Sequence, residues 1–504
     1  MSIPAEQEEA CAYLRALSGA APIETHISLV FVGRDTVWKL KKAVRLPYLD
    51  FSSLAARRHF AEREFALNGG AAPGLYRDVV PLVRAPDGSL GFGDAADAAR
   101  AVEWVLRMAR VPPGDFLDRI AEEGGLTPDL LVATADAVAA FHRGLPPVHG
   151  TDPVAAMRGI AEGNVPSARA AGLPLGAIEA WRGACLAELE AIAEWQRGRA
   201  RDGFVRRAHG DLHLGNMCLW RGAPVPFDAL EFDEALATID LGYDLAFLLM
   251  DLDHRVGRAQ ANRVLNRYVA RTGDAALTRG LPAFLSLRAL IRAHVEASRQ
   301  RRDAAFGYLR AAREHLGRHE AVIVAVGGLQ GTGKTTLARA LAPELGRAPG
   351  ALVLRSDEIR KRRYGLAPEQ RLPAEAYADE VTVAVFTEIA TTARDVARGG
   401  HSVIADATFL DAPLRVQIEA EARAAGVPFI GLWLDTDISE LEARVAARRG
   451  DASDATIETL HASARANPEV AQRLGPAWLV LDAAEREVAL AGAREAVRSR
   501  APTC

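Results

Sequence analysis

The sequence predicts two folded regions built on different plans: a small β-rich lobe running into a larger helical one, then an α/β unit on a parallel sheet. Three observations predict this. At 504 residues the chain exceeds what one hydrophobic core usually organises. Up to roughly Leu316 a few strand-like runs give way to helical periodicity. Beyond Arg318 apolar strands alternate with helices, and a glycine-rich stretch, GGLQGTGKTT, opens between the first strand and the first helix of that alternation.

In the first region, HISLVFV and TVWKLKK flank Gly33-Arg34-Asp35, which reads as a hairpin turn. From about Ser52 to Asn68 the pattern is helical, with Ser52 or Ser53 as its cap. AVEWVLRM reads as another strand, and helix-like segments dominate after it. HLGRHEAVIVAVGG passes from a helix end through Gly317 into an apolar strand, so residues 1–318 are expected to form one domain and 319–504 the other. In the second, AVIVAV, ALVLRSD, HSVIADATF, PFIGLWLD and AWLVLD are the expected strands of a sheet covered on both faces.

Composition narrows the class. Hydrophobic residues at 49% and charged residues at 25% are ordinary for a globular protein. A net charge of −4 and a pI near 6.3 give no reason to expect nucleic acid or an anionic membrane as partner. The most apolar stretch, LATIDLGYDLAFLLMDL, is interrupted by Asp240, Asp244 and Asp251 and makes a poor membrane span. The start, MSIPAEQEEACAYL, has acids where a signal peptide needs a basic end. Cys11, Cys185, Cys218 and Cys504 show no metal-ligand spacing, as expected of reduced thiols in a cytoplasmic protein. Oligomeric state is not legible.

Gly328, Gly333, Lys334 and Thr335 fit G-x-x-x-x-G-K-[ST] between a strand and a helix. Glycines, Gly331 among them, let backbone N–H groups turn toward phosphate oxygens, and the helix N-terminus adds partial positive charge. Lys334 is expected to reach the β- and γ-phosphates of ATP, with Thr336 in the same loop and the Thr335 hydroxyl on Mg²⁺. Asp357, ending the second strand, either accepts a substrate hydroxyl proton as catalytic acid–base group or caps its helix. Asp406, ending SVIAD, is placed to hold a Mg²⁺-bound water. Arg444 and Arg448 share a helix face and either close on the ATP phosphates or stay solvated. These motifs resemble the adenylate-kinase-like P-loop phosphotransferases, including gluconate-kinase-type and zeta-toxin-type kinases, over about residues 320–504.

RRAHGDLHLGNMCLW places Asp211 and Asn216 five apart, the interval at which a kinase catalytic loop orients the attacking hydroxyl with its Asp and binds metal with its Asn. A polar turn is the simpler alternative. A metal site on His209 and His213 lacks any supporting pattern. APVPFDALEFDEA follows and supplies Asp228, with Glu231 and Asp233 close behind. The combination resembles the aminoglycoside phosphotransferase-like family, which implies a bilobal α+β protein-kinase-like fold, Asp228 as second metal ligand and Asp244 in a structural role. The resemblance also implies a phosphate-binding lysine in VWKLKK. Lys39 and Lys41 point to one face. Choosing Lys39 puts Val37 against the adenine and Trp38 on the opposite face. Its ion-pair partner is then Glu64, with Glu62 as competitor. No G-x-G-x-x-G precedes Lys39 and there is no D-F-G.

The expectation is therefore a bifunctional ATP-dependent phosphotransferase, each domain using ATP and Mg²⁺ to phosphorylate a hydroxyl of an unidentified small molecule. Three other readings share parts of the pattern: a P-loop ATPase governed by a non-catalytic sensing domain, a toxin-like nucleotide-sugar kinase, and a nucleic-acid-end kinase. The last is disfavoured by the near-neutral charge.

Overall fold

A computed structural model describes residues 3–46, 49–447 and 452–501. By internal contacts the chain divides into two units, 1–156 with 196–248, and 157–195 with 249–504. The boundary read near Arg318 lies inside the second unit, between the helix Arg302–Glu314 and the strand Ile323–Gly327.

The first unit is organised by a six-stranded antiparallel sheet in the order Ile23–Glu24, Ser28–Val32, Thr36–Lys41, Ala101–Ala109, Tyr76–Arg84, Leu90–Phe92. The Gly33 N–H donates to Thr36 O at 2.9 Å and closes the expected hairpin turn. Strand alternation then sorts the side chains. Leu29, Phe31 and Leu40 join Leu82, Val105 and the helix residues Ala10, Cys11 and Leu14 in one core, with Trp38 packed against it. Lys39 and Lys41 are left on the other face. Three of these strands were expected; Ile23–Glu24, Tyr76–Arg84 and Leu90–Phe92 were not. Pro81 hides Tyr76–Arg84, because proline within an apolar run argues against a strand. Here it sits at the end of the pairing with Leu90–Phe92, one residue beyond Leu82↔Phe92, where Pro81 O still accepts from Gly93 N–H at 2.9 Å.

The helix Leu54–Gly69 starts at Ser53, whose Oγ accepts from the Ala56 N–H at 3.2 Å. Its buried positions, Arg57, Ala61, Glu64 and Asn68, recur at helical spacing. This inward stripe is mostly polar, so the helix is held by charge pairing as well as packing. Arg57 Nε meets Glu103 at 2.9 Å, with both side chains nearly inaccessible. That pairing aims Glu64, two turns on, toward the lysine face of the sheet.

The second unit contains a five-stranded, wholly parallel sheet in the order Leu352–Arg355, Val403–Asp406, Ile323–Gly327, Phe429–Asp435, Trp478–Asp482. These are the five expected strands. The central one, Ile323–Gly327, is buried along its whole length, which is why it reads as a continuous apolar run. Its C-terminal end lies where the strand order reverses, the place at which such sheets bind ligands. The helix Arg258–Thr272 covers one edge. Val353 N–H donates to Asn266 Oδ1 at 2.6 Å, and Ala351 O accepts from Asn262 Nδ2 at 3.0 Å, so side-chain amides replace a missing neighbour strand. Among the described residues no helix is long and apolar enough to cross a membrane.

Candidate active sites

The first site forms where the lysine face of the antiparallel sheet meets the loop His209–Asn216. Lys39 Nζ donates to Glu64 Oε1 at 2.8 Å and to Asp228 Oδ1 at 2.6 Å. Glu62, the competing partner, pairs instead with Arg58 on the exposed side of the helix. Asp228 follows the hairpin Met217–Trp220 and Ala223–Pro226 and sits at φ 60°, a conformation rare outside glycine. The strained backbone is held from both sides. Asp228 N–H donates to the Tyr76 hydroxyl at 3.0 Å, and Ala229 N–H donates to Asn68 Oδ1 at 2.9 Å. Burial opposes the charge on Lys39, but Asp228, Glu64 and Glu231 outweigh it and hold its pKa well above the ordinary value. Burial likewise works against the Asp228 carboxylate, and Lys39 beside it holds that pKa below its usual value.

Asn216 Nδ2 donates to both the carbonyl and the Oδ2 of Asp211 at 2.9 Å, so the two residues five apart are locked together. Asp244 fixes the loop itself. Its Oδ1 accepts from Gly210 N–H at 2.8 Å, and its Oδ2 from His209 N–H at 3.1 Å and from His142 Nε2 at 3.0 Å. Burial lowers the His209 pKa and favours the neutral ring, which contacts Phe227 O through Nε2 at 2.9 Å. His213 accepts from Gly215 N–H through Nδ1 at 3.0 Å, which leaves its Nε2 proton facing Asp211 Oδ2 at 3.6 Å. Both imidazoles are thus committed to shaping the loop.

The second site lies at the C-terminal end of the parallel sheet, in a cleft of about 690 Å³. Gly328, Gly331 and Gly333 have φ of 138°, 88° and 90°, all left-handed. A Cβ on Gly328 would fall 2.6 Å from Leu434 O, so only glycine fits there. Lys334 opens the helix Lys334–Leu341, and its ammonium caps the loop carbonyls Gly328 O and Leu329 O at 3.0 and 2.7 Å. Thr335 Oγ1 donates to Asp406 Oδ2 at 2.6 Å, bringing the expected Mg²⁺ ligands of this half together. Thr336 lines the cleft beside them.

Asp357 also lines the cleft, in the first turn of the helix Ser356–Arg363. The cap position belongs to Arg355, with no side-chain capping bond, so the capping alternative for Asp357 is not realised. Burial raises the Asp357 pKa, with Arg355 and Lys334 pulling it down and Asp406 pushing it up. Arg444 reaches the same cleft, but its guanidinium binds Ala483 O at 2.9 Å, Ala484 O at 2.8 Å and Glu440 at 2.8 Å. Arg448 lies outside the described residues.

Several site residues carry no sequence signal. Tyr76, Asn68 and His142 reach the first site only because distant segments return to it. In the second, Asp454 accepts from Leu372 N–H and the Tyr377 hydroxyl, both at 3.0 Å, and pairs with buried Lys361 at 3.2 Å. Tyr377 and Asp454 line the cleft together with the glycine loop.

Residues 322–467 match the family model of an AAA domain. An adenylyl-sulfate kinase of Myxococcus xanthus is 33% identical over 132 residues, 26% of this chain and 65% of that one. An uncharacterized protein of Mycobacterium tuberculosis is 29% identical over 457 residues, 86% of this chain and 87% of that one. An alignment of that length cannot fit within either half, so both regions occur together in the relative. A solved glucosamine kinase, in complex with glucosamine, ADP and inorganic phosphate, is 22% identical with a TM-score of 0.37, covering 63% of this chain and 84% of that one. The family match places the glycine loop and the parallel strands around it within an AAA domain.

Both sites fit ATP with Mg²⁺ on their own chemistry. A lysine, left-handed glycines and a helix N-terminus suit phosphate oxygens. Hydroxyl, amide and carboxylate oxygens suit a hard cation that keeps several waters. In the first site Asn216 and Asp228 would hold the metal. Asn216→Ala and Asp228→Ala are expected to weaken binding of Mg·ATP more than binding of metal-free ATP, by calorimetry with and without Mg²⁺. Equal weakening of both would make the two residues structural.

Proposed function

We propose that the chain is a bifunctional ATP-dependent phosphotransferase, with modules 1–318 and 319–504 each transferring the γ-phosphoryl group to a hydroxyl of a small molecule. The observation that carries this reading is the presence, in one chain, of two separate constellations that each pair a phosphate-binding lysine with an oxygen donor set and a further carboxylate. In the first, Lys39, Glu64, Asp228 and Asn216 surround the nucleotide phosphates, and Asp211, 43% exposed, orients the acceptor hydroxyl. In the second, Gly328, Gly331, Gly333, Lys334, Thr335 and Thr336 hold the phosphates. Asp406 supports Mg²⁺, Arg444 closes on the phosphates, and Asp357 takes the hydroxyl proton. Asn216 and Asp228 in the first site, and Thr335 and Asp406 in the second, would hold Mg²⁺, which would supply positive charge against the phosphates.

The acceptors are small alcohols. Near-neutral charge gives no support to a nucleic acid, and Cys11, Cys185 and Cys218, all free and buried, suit a reducing cytoplasm. Aminoglycosides do not follow from the fold, which serves many alcohols. The test is a screen of hydroxyl acceptors with γ-labelled ATP, using wild type, Asp211→Ala and Lys334→Ala side by side. Two acceptor sets, each lost in one variant, support the proposal. Labelling that neither variant alters would refute it.

A further inference from the structure

The strand face that carries Lys39 carries a second lysine, and the second is the more deeply buried. Lys41 Nζ meets Glu64 Oε2 at 2.6 Å and also pairs with Glu231; the Lys41 side chain is 2% exposed and that of Glu64 fully buried. No phosphate can approach an ammonium enclosed in this way, so the ATP reading leaves Lys41 without a task. Yet burying a lysine is costly unless it is paired, and this one is paired twice.

The geometry supplies a task. Glu64 divides its carboxylate between two cations, Oε1 on Lys39 and Oε2 on Lys41. Two lysines thus face three acids, with Glu64 and Glu231 buried and Asp228 at the open side. Among the described residues Lys39 is anchored by Glu64 and Asp228, and Asp228 is the one whose carboxylate a metal ion would share. Glu64 is the anchor that neither metal nor phosphate would share. With Lys39 as its sole partner the Glu64 carboxylate would turn with the lysine; held on its second oxygen, it stays fixed. We propose, resting on Lys39 as the phosphate-binding lysine, that Lys41 is a positioning residue for ATP in the first site: backed by Glu231, it pins Glu64 so that Lys39 is presented to the phosphates.

A purely structural ion pair is the alternative, and the two part company in a charge-balanced variant. Lys41→Met alone leaves Glu231 buried without its cation and should destabilise the fold. Lys41→Met with Glu231→Gln removes both charges, so stability should return. The measurement uses the full chain in a Lys334→Ala background, so that Mg·ATP titrates the first site alone, with thermal melting read beside calorimetry. The proposal expects the double variant to melt close to the parent yet bind Mg·ATP about tenfold more weakly or worse. Parent-like affinity in the double variant would overturn it and make Lys41 a structural pair. Absence of Mg·ATP binding in the Lys334→Ala parent would instead overturn the reading of Lys39, and the proposal with it.

Discussion

Asp211→Asn, placed in a Lys334→Ala background, is expected to cut phosphoryl transfer at the first site by about a hundredfold or more, the usual scale of a lost general base. ATP affinity there is expected to stay nearly unchanged. The substitution keeps the shape of the side chain and the backbone that Asp244 holds through His209 and Gly210. It also keeps an oxygen that can accept from Asn216 Nδ2. What it removes is the negative charge that faces the acceptor. Lys39→Ala should behave differently, because Lys39 lies among Glu64 and Asp228 where phosphates belong, so ATP binding should fall with turnover. The contrast separates an enzyme from a sensor, since a sensor has no chemical step for Asp211 to serve. Equal acceptor phosphorylation with Asp or Asn at 211, measured with γ-labelled ATP in that background, would make the catalytic assignment wrong.

Lys334→Ala carries the second large effect. Its ammonium now rests on Gly328 O and Leu329 O, inside a loop whose left-handed glycines turn N–H groups toward the cleft. Phosphate oxygens would replace those carbonyls. Charge-assisted hydrogen bonds of this kind are worth roughly 2–3 kcal/mol, so nucleotide affinity at the second site should fall about a hundredfold. The fold should survive, because Lys334 only opens its helix and the loop shape is set by Gly328 against Leu434 O. Nucleotide binding at the first site should be untouched. Loss of both binding events in this single variant would contradict the independence of the two sites.

The features legible in the sequence are those whose physics is local. A strand, a glycine loop and a helix in order need no partner to be recognised, and Thr335 is readable because it follows the loop lysine directly. The five parallel strands were visible as apolar runs because burial on both faces leaves no polar alternation to confuse them. The alternation of TVWKLKK put Lys39 and Lys41 on one face, but left open which of them meets phosphate; only the enclosure of Lys41 by Glu64 and Glu231 separates their tasks. Tyr76 was invisible for a related reason. It lies on a strand obscured by Pro81, and its hydroxyl matters only because Asp228, far along the chain, arrives beside it. Asp357 read equally as a cap or a base, since both want an acid at a helix start. Its place in the cleft, with Arg355 taking the cap position, is a tertiary fact.

The central claim is that one chain carries two independent ATP sites. Calorimetric titration of the full chain with Mg·ATP tests it most directly. The account predicts two sites per chain, with Lys334→Ala retaining one and Lys334→Ala combined with Lys39→Ala retaining neither at full affinity. A single site in the wild type, lost entirely in Lys334→Ala, would contradict it and leave the first region as a scaffold.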